Sequence, residues 1–283
     1  MIRNIRTAYL MLSPTVFWFL FFLIIPVSMI AVISFATNIG FGDILYDFNI
    51  EAYQSAFSSL YAKAILQSLW WSIIATVLCG IIAYPFAYFI ANAGKWKNFL
   101  LLLVMVPFWT NLLIRLYSWI VLMNNQGVIN NILLKTGIID EPIKMLYTPF
   151  AVIVGLVYGF LPFMILPIYA SIEQLNKTYL EAAEDLGANP IKTFFAVTLP
   201  LTFPGVLSGA IMTFVPAISV FVVTDLLTGG RLLMIGNVIR DAFLVEMNWP
   251  LGSAISLLLM ILVLLSMITL MKFTSSDDES SLL

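Results

Sequence analysis

The chain contains no histidine and a single cysteine, Cys79. Without histidine there is no Ser-His-Asp or Cys-His nucleophile and no imidazole-ligated metal. One cysteine excludes an internal disulfide and any multi-cysteine metal site. Charge is equally scarce: only 10% of the 283 residues are Asp, Glu, Lys or Arg, against about 25% in an average soluble protein. These 13 basic and 15 acidic side chains cannot cover a soluble domain of this size. A net charge of −2 offers no electropositive face for nucleic acid. What is abundant is apolar, with 61% hydrophobic residues and a mean hydropathy of +1.02. The chain reads as an integral membrane protein whose solvent is the lipid bilayer, with no catalytic residues and no metal site.

A helix needs roughly 20 mostly apolar residues to cross about 30 Å of hydrocarbon. Uncharged runs long enough occur at 7–42, 64–94, 145–172, 193–224 and 247–271, and a sixth at 98–134 is interrupted only by Arg115. Six spans are expected, near 12–35, 66–90, 99–122, 149–171, 203–225 and 252–271. The short alternating segments of a transmembrane β-barrel are not seen, so the expected fold is an all-α membrane bundle forming one domain over 1–283. Arg3 and Arg6 precede the first run, and Ser34-Phe35-Ala36 has the look of a cleavage site. A signal peptide's apolar core is only about 7–15 residues, however, and this longer run is expected to remain as an anchor. An even number of spans puts both termini on one side. That side holds Arg3, Arg6, Lys95, Lys97, Lys177, Lys192 and Lys272, and the other holds Lys63, Lys135, Lys144, Arg231 and Arg240. The excess of basic residues marks the first side as cytoplasmic. The polar tail 274–283, with Asp277, Asp278 and Glu279, is expected to be disordered.

One connecting segment, 173–202, looks like soluble protein. It carries Glu173, Lys177, Glu181, Glu184, Asp185 and Lys192. Thr178 is expected to cap a helix over 179–186, with Glu181 completing a capping box. Gly187 suits the left-handed residue that closes a helix. Asn189-Pro190 then supplies a new cap and a proline for the first helical position. Two short helices meeting at a glycine are expected, and Ala182 and Ala183 leave one flank of the first flat enough for another backbone to approach.

The residues Glu181-Ala182-Ala183, Gly187, Val197, Leu199 and Pro200 fit the spacing EAA-x3-G-x9-I-x-LP, with Val197 in place of isoleucine. This resembles the cytoplasmic signature of the permease subunits of ABC importers. The resemblance implies the six-helix architecture of type I importers and a loop that serves as a coupling helix, seated on a separate ATPase subunit. Glu181 would then pair with a basic residue of that ATPase, Ala182 and Ala183 would make the close contact, and Gly187 would set the bend. A phosphate-cradling loop needs G-x4-G-K-[ST]. The one Gly-Lys pair, Gly94-Lys95, is followed by Trp96 and lacks the upstream glycine. ATP and magnesium are therefore expected on the partner ATPase, with no cofactor in this chain.

Further stretches resemble the B-type permeases of spermidine/putrescine importers: 106–111 with 114–117, 224–230, 233–239, and 248–252. The resemblance implies a location in the cytoplasmic (inner) membrane and three kinds of companion chain. These are a second, C-type permease, two ATPase subunits and an external polyamine-binding protein. Spermidine and putrescine both remain open as cargo, and so does the same fold serving iron, sulfate or thiamine. Anion cargo would bring Arg115 into the path and leave Asp225 idle. A secondary transporter working alone is a different class of reading, but such proteins often carry inverted repeats, and no second copy of any motif is evident. A membrane assembly factor without cargo is a third.

Candidate path residues follow from cation chemistry. A polyamine needs spaced carboxylates and aromatic faces, each cation–π contact contributing about 0.5–2 kcal/mol. Asp225 ends the fifth expected span beside Gly229-Gly230 and is read either as an ammonium ligand or as a cap of the following turn. Trp109, Tyr117 and Tyr158 are the aromatic candidates. Phe108, Asn111, Arg115, Ser118 and Leu122 recur at three- and four-residue steps and so share one helix face, and Asn111 and Arg115 are expected to point inward. Arg115 is read as structural, pairing with a carboxylate or holding helices together. Asp241 and Glu246 read as solvated surface. The Gly155-x3-Gly159 pair reads as a close helix contact, Pro85, Pro107, Pro162, Pro167 and Pro216 as kinks, and Trp70, Trp71, Trp96 and Trp249 as interfacial anchors. Cys79 reads as apolar filler.

Overall fold

The computed structural model describes residues 2–280, with side chains for residues 12–269. In chain order the elements are α1 (Ile2–Ile33), a hairpin of β1 (Thr37–Gly40) and β2 (Asp43–Leu45), α2 (Glu51–Ala56) and α3 (Ser59–Ala91). There follow α4 (Lys97–Met105), α5 (Leu112–Met123), α6 (Val128–Lys135), α7 (Pro149–Glu173), α8 (Lys177–Asp185) and α9 (Pro190–Thr193). The last four are α10 (Leu199–Ser219), α11 (Val222–Thr228), α12 (Ile235–Leu244) and α13 (Trp249–Ser280). Among the described residues five helices are long and apolar enough to cross a membrane: Leu12–Ile33, Ser59–Ala91, Pro149–Glu173, Pro190–Ser219 and Trp249–Thr269. The backbone of 274–280 continues α13 where an unpacked tail is expected; residues 281–283, and side chains beyond 269, lie outside the described residues.

Two of the expected spans are corrected. The third is not one helix. It breaks into Gly94–Trp109 and Leu112–Lys135, which meet at 90°. Pro107 lacks an N–H for the helical ladder, and Thr110 and Asn111 turn to extended backbone at ψ 149° and 140°. Asn111 then restarts the helix by accepting the Leu113 N–H at 2.8 Å. The fifth span ends at Ser219 and not at 225. Val220 is extended at ψ 110°, and Asp225 belongs to the separate helix α11.

Within the described residues two compact units are distinguished, 2–62 with 238–262, and 63–237 with 263–280. In the first unit none of the α1 span is buried within the chain, as suits a helix facing lipid. Phe35 stacks on Phe48 at 5.1 Å, and Ser34 hydrogen-bonds the Tyr53 hydroxyl at 2.8 Å. Gly252 lets the Phe243 ring lie against α13, where an added Cβ would stand 2.8 Å from it.

The second unit is built on small residues. Along α3 most buried positions are small, Ala64, Ser68, Ser72, Ala75, Cys79, Ala83 and Ala87 at three- and four-residue steps, with Tyr84 and Ile90 the large exceptions, while Leu66, Trp70, Ile73 and Val77 face outward. Lipid supplies no hydrophobic drive between helices, so close backbone approach through small side chains takes its place. Packing of α7 on α10 and α11 follows the same logic. A Cβ at Gly155 would stand 2.4 Å from Leu227, one at Gly205 2.4 Å from Ser171, and one at Gly209 3.1 Å from the Met164 carbonyl. Gly155 thus makes the close contact its spacing suggests. Gly159 is looser, with Leu112 at 3.8 Å. The Tyr84 and Thr202 hydroxyls join α3 to α10 at 2.7 Å.

Candidate functional site

The segment after α7 folds as an elbow. Asn176 Oδ1 accepts the Thr178 N–H at 3.0 Å, so Asn176 is the cap of α8, and not Thr178. Asparagine is among the strongest caps, and shifting the cap two residues upstream takes Glu181 out of the capping box. Glu181 instead stands exposed in mid-helix, beside exposed Ala182 and half-buried Ala183. At the end of α8 the Gly187 N–H donates to the Glu184 carbonyl at 2.8 Å, and the Ala188 N–H to that of Ala183 at 3.0 Å. These paired bonds require a left-handed residue, and Gly187 has φ +79°. Asn189 Oδ1 accepts the Lys192 N–H at 2.8 Å and Pro190 takes the first turn of α9, as its dipeptide suggests.

From α9 the chain runs through a π turn, Phe194–Thr198, directly into α10. Pro200 has no N–H to return to Ala196, and the wider turn lies immediately before it. Of the remaining signature positions, Val197 is half-buried in that turn, while half-buried Leu199 and exposed Pro200 open α10. The elbow also exposes Leu186 (89%), Ile191 (71%) and Tyr179 (56%). Sequence reasoning missed these three, although apolar residues in an otherwise charged loop are a signal in themselves. The elbow is tethered to the bundle. Lys97 at the start of α4 forms an ion pair with Glu173 at the end of α7, and the Tyr169 hydroxyl donates to the same carboxylate at 2.8 Å. A cleft of about 310 Å³ lies here, lined by Tyr88, Asn92, Lys97, Glu173, Lys177 and Leu180 among others.

The path candidates do not converge on one place. Arg115 and Tyr158 come together: the Arg115 guanidinium lies 4.4 Å from the Phe108 ring centroid and 5.8 Å from that of Tyr158. Asn111 is exposed in the single chain and engaged as a cap, and the 90° break removes the single face on which its expected aim rested. Trp109 and Tyr117 are 77% and 57% exposed. Asp225 takes part in a clasp. Its carboxylate accepts from Asn237 Nδ2 at 2.6 Å, while Asn237 Oδ1 accepts from the Thr224 hydroxyl at 2.7 Å and the Met234 N–H at 3.0 Å. Gly229 and Gly230, at φ +60° and +76°, turn the chain so that residues 234–237 lie back on α11. Asn237, fully buried, organises this clasp and was not singled out from the sequence. Among the described residues no three Cys, Asp or Glu side chains gather where a metal would need them.

Residues 83–275 match the family described as binding-protein-dependent transport system inner membrane component. The chain is 46% identical over 249 residues to the spermidine/putrescine transport system permease protein PotB of Haemophilus influenzae, covering 88% of this chain and 87% of that one. It is 42% identical over 254 residues to PotB of Escherichia coli K12, covering 89% and 92%. Among solved structures, a chain of a bacterial ABC transporter that imports the acidic polysaccharide alginate superposes with a TM-score of 0.77 over 97% of both chains. At 19% identity that likeness concerns the fold.

Proposed function

Because the chain belongs to the family of binding-protein-dependent transport system inner membrane components, we propose that it is the B-type permease subunit of an ATP-driven importer of polyamines, spermidine or putrescine. The observation that carries the importer reading is the exposed elbow of α8, Gly187 and α9. The polyamine cargo is supported by the two PotB relatives, which match over nearly the full chain.

In this reading the chain sits in the inner membrane with both termini and the elbow on the cytoplasmic side. It pairs with a second permease, two ATPase subunits and an external polyamine-binding protein. A loaded binding protein docks outside. ATP and magnesium, held by the ATPases, close them, and the elbow transmits that closure. Glu181 pairs with a basic side chain of the ATPase; Ala182 and Ala183 admit its backbone, and Leu186 and Ile191 bury their apolar surface against it. The two left-handed hydrogen bonds at Gly187 keep α8 and α9 in a fixed relation, so movement of α8 is delivered to α10 through the π turn. Among the path candidates Asp225 supplies negative charge on α11, with Asn237 fixing the carboxylate.

The test is ATP-dependent uptake of labelled spermidine and putrescine by the reconstituted complex, with Asp225→Asn beside the wild type. Uptake of either polyamine that needs ATP and the binding protein is the expected result. Uptake of an anion in its place, or polyamine flux without ATP, would overturn the reading.

A further inference from the structure

A cavity of about 200 Å³ lies in the first unit, where the β1–β2 hairpin, α2 and the start of α13 meet. Its floor is apolar, formed by buried Ala36, Pro250 and Leu251, and its wall is polar, with Asn38, Asn49, Glu51 and Asn248. The chain itself fixes that wall. Asn49 Oδ1 accepts the Glu51 N–H at 2.8 Å, and Asn49 Nδ2 donates to the Thr37 hydroxyl at 2.9 Å. Asn38 Oδ1 accepts the Gly40 N–H at 3.1 Å, and Asn248 Oδ1 accepts the Leu251 N–H at 3.2 Å. An amide oxygen has two lone pairs and each of these uses one, so each can accept once more.

Among the described residues Glu51 supplies the one charge of the lining. Its side chain is exposed, and among the described residues the carboxylate has no ion-pair partner. No Lys or Arg occurs between residues 34 and 62 to neutralise it. A negative charge with carbonyl oxygens around it suits a cation. A divalent metal ion bound by protein alone draws on several carboxylates, and no three acidic side chains gather among the described residues. An inorganic cation also has no use for the apolar floor. An alkylammonium uses both parts, acceptors for its N–H donors and a dry surface for its methylenes. The volume falls below the roughly 300–1,000 Å³ of sites that enclose a drug-sized ligand, so one end of a polyamine fits here and the whole chain does not.

We propose that this cavity is an outer subsite for a primary ammonium group. The terminal ammonium of a polyamine rests on Glu51, with the Asn38 and Asn248 oxygens beside it, and its methylenes lie over Ala36, Pro250 and Leu251. These residues follow the first span and precede the last, so the cavity opens outside when both termini are cytoplasmic. A single exposed carboxylate holds a cation weakly, as suits cargo that must move on. The inference rests on the polyamine importer reading for its cargo, and the experiment separates the two.

The complex with the second permease and the ATPases is placed in lipid nanodiscs without the binding protein. A photoreactive spermidine analogue is crosslinked to it, and labelling of the peptides holding residues 36–55 and 248–251 is followed against concentration. Labelling of these peptides, suppressed by spermidine, is the expected result. Glu51→Gln should raise the half-saturating concentration about fivefold, and Glu51→Asp by less, since it keeps the charge. On the wild-type complex, where no variant has to fold, butylammonium should compete better than ammonium ion. If the wild-type complex takes up no polyamine with ATP and binding protein present, the importer reading fails. Where uptake proceeds, the subsite alone fails if these peptides stay unlabelled or if ammonium ion competes as well as butylammonium. Wild-type labelling in Glu51→Gln overturns it too, and weakened binding of the external protein by that variant would then mark Glu51 as a protein contact.

Discussion

Replacing Gly187 with alanine probes the elbow free of steric conflict, because no heavy atom lies within 4 Å of where the new Cβ would stand. Only the backbone is perturbed. At φ +79° an L-residue is disfavoured by roughly 1–2 kcal/mol, which moves an equilibrium by about 5–30-fold. The bent form is held by the Gly187 N–H to Glu184 and the Ala188 N–H to Ala183, at 2.8 and 3.0 Å. Straightening α8 through this point loses both. A partner that binds only the bent form loses apparent affinity as that fraction falls, so ATPase binding should weaken toward that factor. Asparagine tolerates the left-handed region better than alanine, and valine worse. Binding should therefore fall in the order Gly, Asn, Ala, Val. The assay is titration of the purified ATPase onto immobilised permease complex, with thermal unfolding of the complex alone as the control. Equal binding by the glycine and valine forms, or an asparagine variant weaker than alanine, would refute the reasoning.

Glu181→Lys should abolish co-purification of the ATPase while leaving the melting temperature unchanged, since Glu181 is exposed and caps nothing in the bundle; retention at wild-type stoichiometry would show that it does not dock. Gly205→Ala should destabilise the α7–α10 contact by about 1–3 kcal/mol, because the Cβ would lie 2.8 Å from the Pro167 carbonyl. Gly80→Ala, whose Cβ would meet only the Met164 methyl at 3.6 Å, should leave thermal unfolding in detergent almost untouched. Asn237→Ala withdraws donors and an acceptor from Asp225, Thr224 and Met234. A cost of about 1–3 kcal/mol for each unsatisfied buried group should appear as a lower melting temperature, and Asn237→Asp, facing Asp225, should melt lower still.

Four of the spans were legible because a run of apolar residues is itself the membrane signal. The elbow was nearly as legible, since caps, helix stops and prolines act over three or four residues. Gly187 and Asn189-Pro190 do what their local chemistry dictates. The cap at Asn176 was mistaken because Thr178 and Glu181 compose an equally good local pattern, and the competition between two caps two residues apart is decided by where α7 stops. The break at Thr110 escaped for a related reason. Hydropathy does not register helix direction, and a bent pair of half-length helices is as apolar as a straight span.

Residue types and short-range spacing thus determined that this chain lives in lipid, has no histidine chemistry, and carries a bent, exposed handle between two spans. The three-dimensional packing alone decided which polar groups meet. Asn237 reaches back to Thr224 and Asp225 across a glycine turn. Arg115 is laid near Tyr158 of α7, far from it in sequence. Gly205 and Gly209 lie where another helix comes within contact of their main chain. In a bilayer these pairings depend on steric fit and hydrogen-bond geometry between helices. Neither leaves a mark on hydropathy, and so only the assembled bundle reveals them.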